Sequence, residues 1–87
     1  MALDLDRRYE LDPQVAIRPE AFGALAYHYG NRRLTFLKAR SLVELVRELG
    51  GHGSAREALE RRVPPEQRRA YADALATLLD SGLIRAA

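Results

Sequence analysis

Few side chains in this sequence have the chemistry for a reaction. His28 sits in an alternating, strand-like stretch and His52 in the glycine loop "GGHG", residues 50–53. Neither has a carboxylate at helical ligand spacing beside it, so both read as surface histidines rather than metal ligands. Ser41 and Ser54 each stand three residues ahead of a glutamate, Glu44 and Glu57. That spacing is a helix capping box, and no glycine elbow exposes either hydroxyl as a nucleophile. The glycine loop lacks the lysine and the following serine or threonine of a phosphate-binding loop. There is no cysteine, hence no thiolate, disulfide or cysteine-held metal or cluster. The expectation is a protein without catalysis, metal or cofactor of its own.

The arginines are the other chemically distinctive group: thirteen of them stand against the single Lys38. Arg32 and Arg33 flank a turn, and Arg68 and Arg69 fall in the first turn of the last helix. Cations there oppose the helix dipole, with Glu66 close by to offset them. They read as an anion-binding patch or as ordinary solvated surface. The net charge of +2 is too small to imply a strong pull on nucleic acid, although the pI is 9.4.

The elements that must position these residues are legible from periodicity. "FGALAYHYGNRRLTFLK", residues 22–38, reads as a β-hairpin turning at Gly30-Asn31, with glycine supplying a positive φ. Pairing outward sets Tyr27 opposite Leu34 and Leu25 opposite Phe36 on a bulky apolar face. His28 opposite Arg33, Ala26 opposite Thr35 and Ala24 opposite Leu37 form a small or polar face. "QVAIRP" adds a strand with Val15 and Ile17 on one side and Arg18 on the other, making the hairpin's first strand the centre of three. Helical periodicity follows. Leu42, Leu45, Val46 and Leu49 form one stripe, stopped by Gly50-Gly51. Ala55, Ala58 and Leu59 line a short helix opened by Ser54 and closed by "VPPEQ". Tyr71, Leu75, Leu78 and Leu79 lie along a last helix over 65–81, closed by Gly82 with Leu83 behind the cap.

The expected fold is a small α+β domain, a three-stranded antiparallel sheet followed by three helices (β-β-β-α-α-α). It is like a winged helix-turn-helix with the hairpin moved to the front. At 87 residues and 47% hydrophobic content the chain is one globular domain, 1–87, with 1–8 and 85–87 loose. No stretch nears the ~20 apolar residues of a membrane span, and the acidic start is unlike a signal peptide. The expected location is the cytoplasm.

The two sheet edges differ. The Val15 strand is bracketed by Pro13 and Pro19, residues that blunt an edge. The Leu34 strand, "RRLTFLK", has no proline and charge only at its ends. It can accept another strand through main-chain hydrogen bonds, from a peptide or from a second copy of the chain, unless a loop or the N-terminal segment covers it.

"QVAIRPEAFGALAYHYGNRRLTFLK", the helix opening "SLVELV" and the closing "LLDSGLI" together resemble the mycofactocin-system precursor-peptide-binding chaperones, which are PqqD-like RiPP recognition elements. The resemblance covers residues 11–84. It implies a non-catalytic adaptor that binds the leader of a ribosomally made precursor peptide and presents its far end to a radical-SAM maturase, which owns the iron–sulfur cluster and S-adenosylmethionine. The leader site of such proteins lies between the third strand and the third helix. By position that is Arg33, Leu34, Thr35, Phe36, Leu37 and Lys38, with Arg68, Arg69 and Ala72 expected on the helix side against an acidic leader. The alternative is a winged-helix nucleic-acid-binding protein. Against it, the hairpin precedes the helices, and the last helix carries alanines and leucines where base-reading side chains belong.

Overall fold

The computed structural model describes residues 3–87. Among the described residues, five strands and three α-helices follow one another as β1 (Tyr9–Leu11), β2 (Val15–Glu20), β3 (Gly23–His28), β4 (Leu34–Leu37), α1 (Arg40–Glu48), α2 (Ala55–Arg62), α3 (Arg68–Ser81) and β5 (Ile84–Ala86). Short 3-10 turns at Leu49–Gly51 and Pro65–Gln67 join the helices. Strands β2, β3 and β4 form an antiparallel sheet in that order, and β1 pairs with β5 in a separate two-stranded ribbon. No helix among the described residues is long and apolar enough to cross a membrane.

The hairpin register is the expected one: Ala24, Leu25, Ala26 and Tyr27 face Leu37, Phe36, Thr35 and Leu34. The turn is not. His28 N–H donates to the Arg33 carbonyl (3.0 Å) and Arg32 N–H to the His28 carbonyl (2.7 Å), which leaves four residues in the connection. The positive φ falls on Arg32, at 61°, rather than on Gly30. Two-residue and four-residue connections have the same parity, so the register survives the change.

His28 is buried, not a surface histidine. Its Nδ1 accepts hydrogen bonds from the amides of Gly30 (3.0 Å) and Asn31 (3.1 Å) and so organises that turn. The ring proton therefore sits on Nε2, 3.6 Å from Asp12 Oδ2. Gly23 is required for a different reason. At φ 149°, a Cβ there would lie 2.1 Å from the Leu37 carbonyl oxygen, where the hairpin closes on the start of α1.

The small face of the hairpin is the inner one. Ala24, Ala26 and Leu37 are fully buried, and α1 lies against β3 on that side. The core continues through Leu45, Val46 and Leu49 of α1, Ala55, Ala58 and Leu59 of α2, and Leu75 and Leu78 of α3. The bulky face points to solvent, with Leu34 54% and Phe36 57% exposed.

Helix termini follow the sequence at two places and depart from it at one. Ser54 caps α2, its side chain accepting from Glu57 N–H (3.1 Å). Gly82, at φ 84°, closes α3, and Leu83 N–H reaches back to the Leu78 carbonyl (3.0 Å). Ser41 caps nothing: α1 begins at Arg40 behind Ala39, and the Ser41 hydroxyl instead hydrogen-bonds the Tyr71 hydroxyl of α3.

Segments near both ends are engaged. The carbonyls of Leu5 and Arg7 accept from the first amides of α2, Arg56 and Ala55 (2.8 and 2.9 Å), where a helix leaves donors unpaired. Arg8 donates twice to the Gly50 carbonyl. Arg85 pairs with Glu10 across the β1–β5 ribbon (2.9 Å). Met1 and Ala2, part of the stretch expected to be loose, lie outside the described residues.

Candidate functional site: an open strand edge beside the last helix

Strand β4 is one of the two edges of the three-stranded sheet. The bond from His28 to the Arg33 carbonyl fixes the phase of its ladder. In an antiparallel pair the bonding positions alternate, so Thr35 and Leu37 exchange hydrogen bonds with Ala26 and Ala24. Leu34 and Phe36 then point their N–H and C=O groups away from β3, off the free edge. Among the described residues no backbone group outside the sheet bonds to either of them.

Two side-chain hydrogen bonds link α3 to the segments that precede and follow β4. Asn31 Nδ2, in the hairpin turn, donates to the Ser81 carbonyl at the end of α3 (3.1 Å). The Ser41–Tyr71 hydroxyl pair joins the start of α1 to the first turn of α3. Just beyond the α1 end of β4 lies a cavity of about 200 Å³ lined by Lys38, Ala39, Leu42, Ala70, Tyr71 and Ala74. Alanine at 70 and 74, one helical turn apart on one face, leaves that side of the cavity wide.

The residues expected to form the site are divided by the structure. Arg33, Leu34, Thr35, Phe36, Leu37 and Lys38 do lie along the open strand, although Leu37 is buried and Thr35 half-buried on the inner face. Arg68, Arg69 and Ala72 lie elsewhere. They line a second cavity, about 290 Å³, with Leu5, Arg56, Leu59 and Glu60, between α3, α2 and the N-terminal segment. At 3.6 residues per turn, Ala72 and Ala74 are about 160° apart around the helix, so the two cavities flank opposite sides of α3. Arg68 is also occupied: its guanidinium donates to the carbonyls of Val63 (2.9 Å) and Glu60 (3.0 Å) at the end of α2. The cations that stand at the ends of β4 are Arg32 and Arg33 on one side and Lys38 and Arg40 on the other. None of the four has an ion-pair partner among the described residues. Ala70, Tyr71 and Ala74, which line the cavity, were not among the expected site residues; the alanines one turn apart are the signal that could have marked them.

No group of three or more His, Cys, Asp or Glu among the described residues could hold a metal ion. The geometry is that of a small α+β domain with an accessible strand edge beside a helix. The chain belongs to the peptide chaperone MftB family, whose model matches residues 8–85. It is 45% identical to the peptide chaperone MftB of Mycolicibacterium smegmatis over 97% of this chain and 83% of that one. Identity to the peptide chaperone MftB of Mycobacterium ulcerans is 43%, over 95% and 77% of the two chains. The Mycobacterium tuberculosis protein of the same name is 51% identical over 63% of this chain and 50% of its own. No solved structure matches the chain.

Proposed function

We propose that this chain binds the leader of a ribosomally made precursor peptide as an added strand on β4 and presents the peptide's far end to a radical-SAM maturase of mycofactocin biosynthesis, without a reaction of its own. The observation that carries the reading is the pair of unbonded main-chain positions, Leu34 and Phe36, on an edge whose α1 end adjoins the cavity lined by Ala70, Tyr71 and Ala74. Strand addition needs donors and acceptors at alternate residues, and that is what this edge offers. On the helix side the peptide meets Ala70, Tyr71 and Ala74. Arg33 at one end and Lys38 and Arg40 at the other take acidic leader residues. Arg68 and Arg69 act on the opposite side of α3, so they are not assigned to the leader. The helices stacked on one face of the sheet are read as a winged-helix-like arrangement working in the cytoplasm, with peptide rather than nucleic acid as its ligand.

Amide hydrogen exchange tests the docking site directly. Without peptide, the amides of Leu34 and Phe36 exchange fast while those of Thr35 and Leu37 are protected. Adding a synthetic leader slows Leu34 and Phe36. Protection appearing on β2 or α1 with Leu34 and Phe36 unchanged would place the peptide elsewhere.

A further inference from the structure

The outer face of the sheet is not used by strand addition. Leu25, Tyr27, Leu34 and Phe36 stand on it, with Phe22 and Tyr29 at its margins, 44% and 64% exposed. Soluble monomers seldom present so continuous an apolar surface without using it. An added strand would join β4 in the plane of the sheet, and its alternate side chains would enlarge this face rather than hide it.

Charge and ring geometry narrow the occupant. Arg18 lies on this face and is paired with Glu20 (2.8 Å), the carboxylate beside it. Arg32 stands at the turn end of β4 without an ion partner among the described residues, so the rim carries a positive charge beyond that pair. A second copy packed face to face would set these cations against their own kind. Single-stranded nucleic acid needs flat, accessible rings on which bases stack. Here the rings interlock instead. Phe22 and Phe36 are tilted by 56° at 5.9 Å, and Tyr27 meets Tyr29 edge-on, at 83° and 5.1 Å.

We infer that the outer face docks a partner protein that offers an apolar patch bordered by carboxylates; resting on the function proposed above, that partner is the maturase, seated beside the added leader. It then touches chaperone and peptide at once, and each raises the other's affinity.

The test uses Ala16→Glu with Arg18→Glu. Both residues are exposed on β2, at the side of the sheet away from β4, so the leader edge is untouched. Circular dichroism checks the fold, and amide shift mapping of the unaltered chain gives a readout independent of the variant. The expected result is leader affinity within about threefold of the unaltered chain and binding to the maturase weakened about tenfold or more, as for a charge set against an apolar interface centre. Shifts on adding maturase should centre on Phe22, Leu25 and Tyr27. Should the variant bind maturase as the unaltered chain does, or shifts fall on α2 and α3 alone, the inference is overturned while the leader reading stands. A dimer in sedimentation that the variant splits, or an oligouridine that binds this face when maturase does not, also overturns it. If the leader binds but maturase does not, the presenting role and this inference fall together. Maturase bound through this face without leader binding supports the inference and removes strand addition.

Discussion

Replacing Leu34 with proline removes one N–H from the outward side of β4 and nothing from the sheet. Proline is tolerated at the first residue of a strand and where its missing N–H faces off the edge, and Leu34 meets both conditions. Thr35 and Leu37 keep their bonds to Ala26 and Ala24, so thermal stability should change little. Leader binding should not escape. A net main-chain hydrogen bond contributes about 0.5–1.5 kcal/mol, and the pyrrolidine ring also holds the peptide's carbonyl off the edge. Together these give a loss of about 1–2 kcal/mol, roughly five- to thirtyfold in Kd at 1.4 kcal/mol per tenfold. Leu34→Ala is the matched control. It trims a side chain that points to the outer face and leaves the N–H in place, so the leader should bind it nearly as before. Fluorescence anisotropy with a labelled leader measures both variants, with melting curves to confirm folding. A folded Leu34→Pro chain that binds like the unaltered one would refute strand addition at this edge. Equal losses in both variants would mean that the side chain, not the main chain, makes the contact.

Four further outcomes follow from the same geometry. His28→Ala leaves the amides of Gly30 and Asn31 without their acceptor, and urea unfolding should show a loss of about 1–3 kcal/mol. Gly23→Ala drives a methyl into the Leu37 carbonyl and should lower the urea midpoint by an equivalent of about 2 kcal/mol or more. Arg68→Ala removes both donors from the end of α2 and should cost about 1–2 kcal/mol, whereas Arg69→Ala should stay within about 0.5 kcal/mol. Arg33→Glu with Lys38→Glu should weaken an acidic leader severalfold at low ionic strength. Titrations at high salt should show most of that difference gone, because exposed charges are screened.

How much of this was legible in the sequence depended on whether the signal was local. The hairpin register follows from alternation and parity alone, so it came through even though the turn is built differently. That turn depends on His28 folding back on Gly30 and Asn31 and on Gln14, whose carbonyl accepts from Tyr29 N–H (2.9 Å). No short-range pattern announces such contacts. Ser54 and Gly82 cap their helices through neighbours three to five residues away, and both were readable. Ser41 matches the same motif, but its partner is Tyr71, thirty residues on. The ribbon of β1 with β5 joins segments from opposite ends of the sequence and was not expected, because three-residue strands carry no period; Arg85 and Ala86 of β5 lie in a tail expected to be loose. Alternation separates the faces of a sheet without saying which is inside. Here α1 rests on the alanines, and the larger side chains are left to solvent.

That inversion ties the two surfaces together. In a strand, main-chain groups lie in the plane of the sheet and side chains stand perpendicular to it, both with period two. On β4 the two alternations are locked in phase. Leu34 and Phe36 aim their N–H and C=O groups off the open edge and their side chains onto the outer face. Thr35 and Leu37 turn both inward, to β3 and to the core. The residues that would hold the leader by their backbones are therefore those whose side chains would meet a partner on the outer face. A peptide that orders the backbone at 34 and 36 also orders the Leu34 and Phe36 side chains, lowering the entropy cost for whatever packs on them. Coupling between the two binding events then needs no movement of the helices, only a strand that is shared by both surfaces.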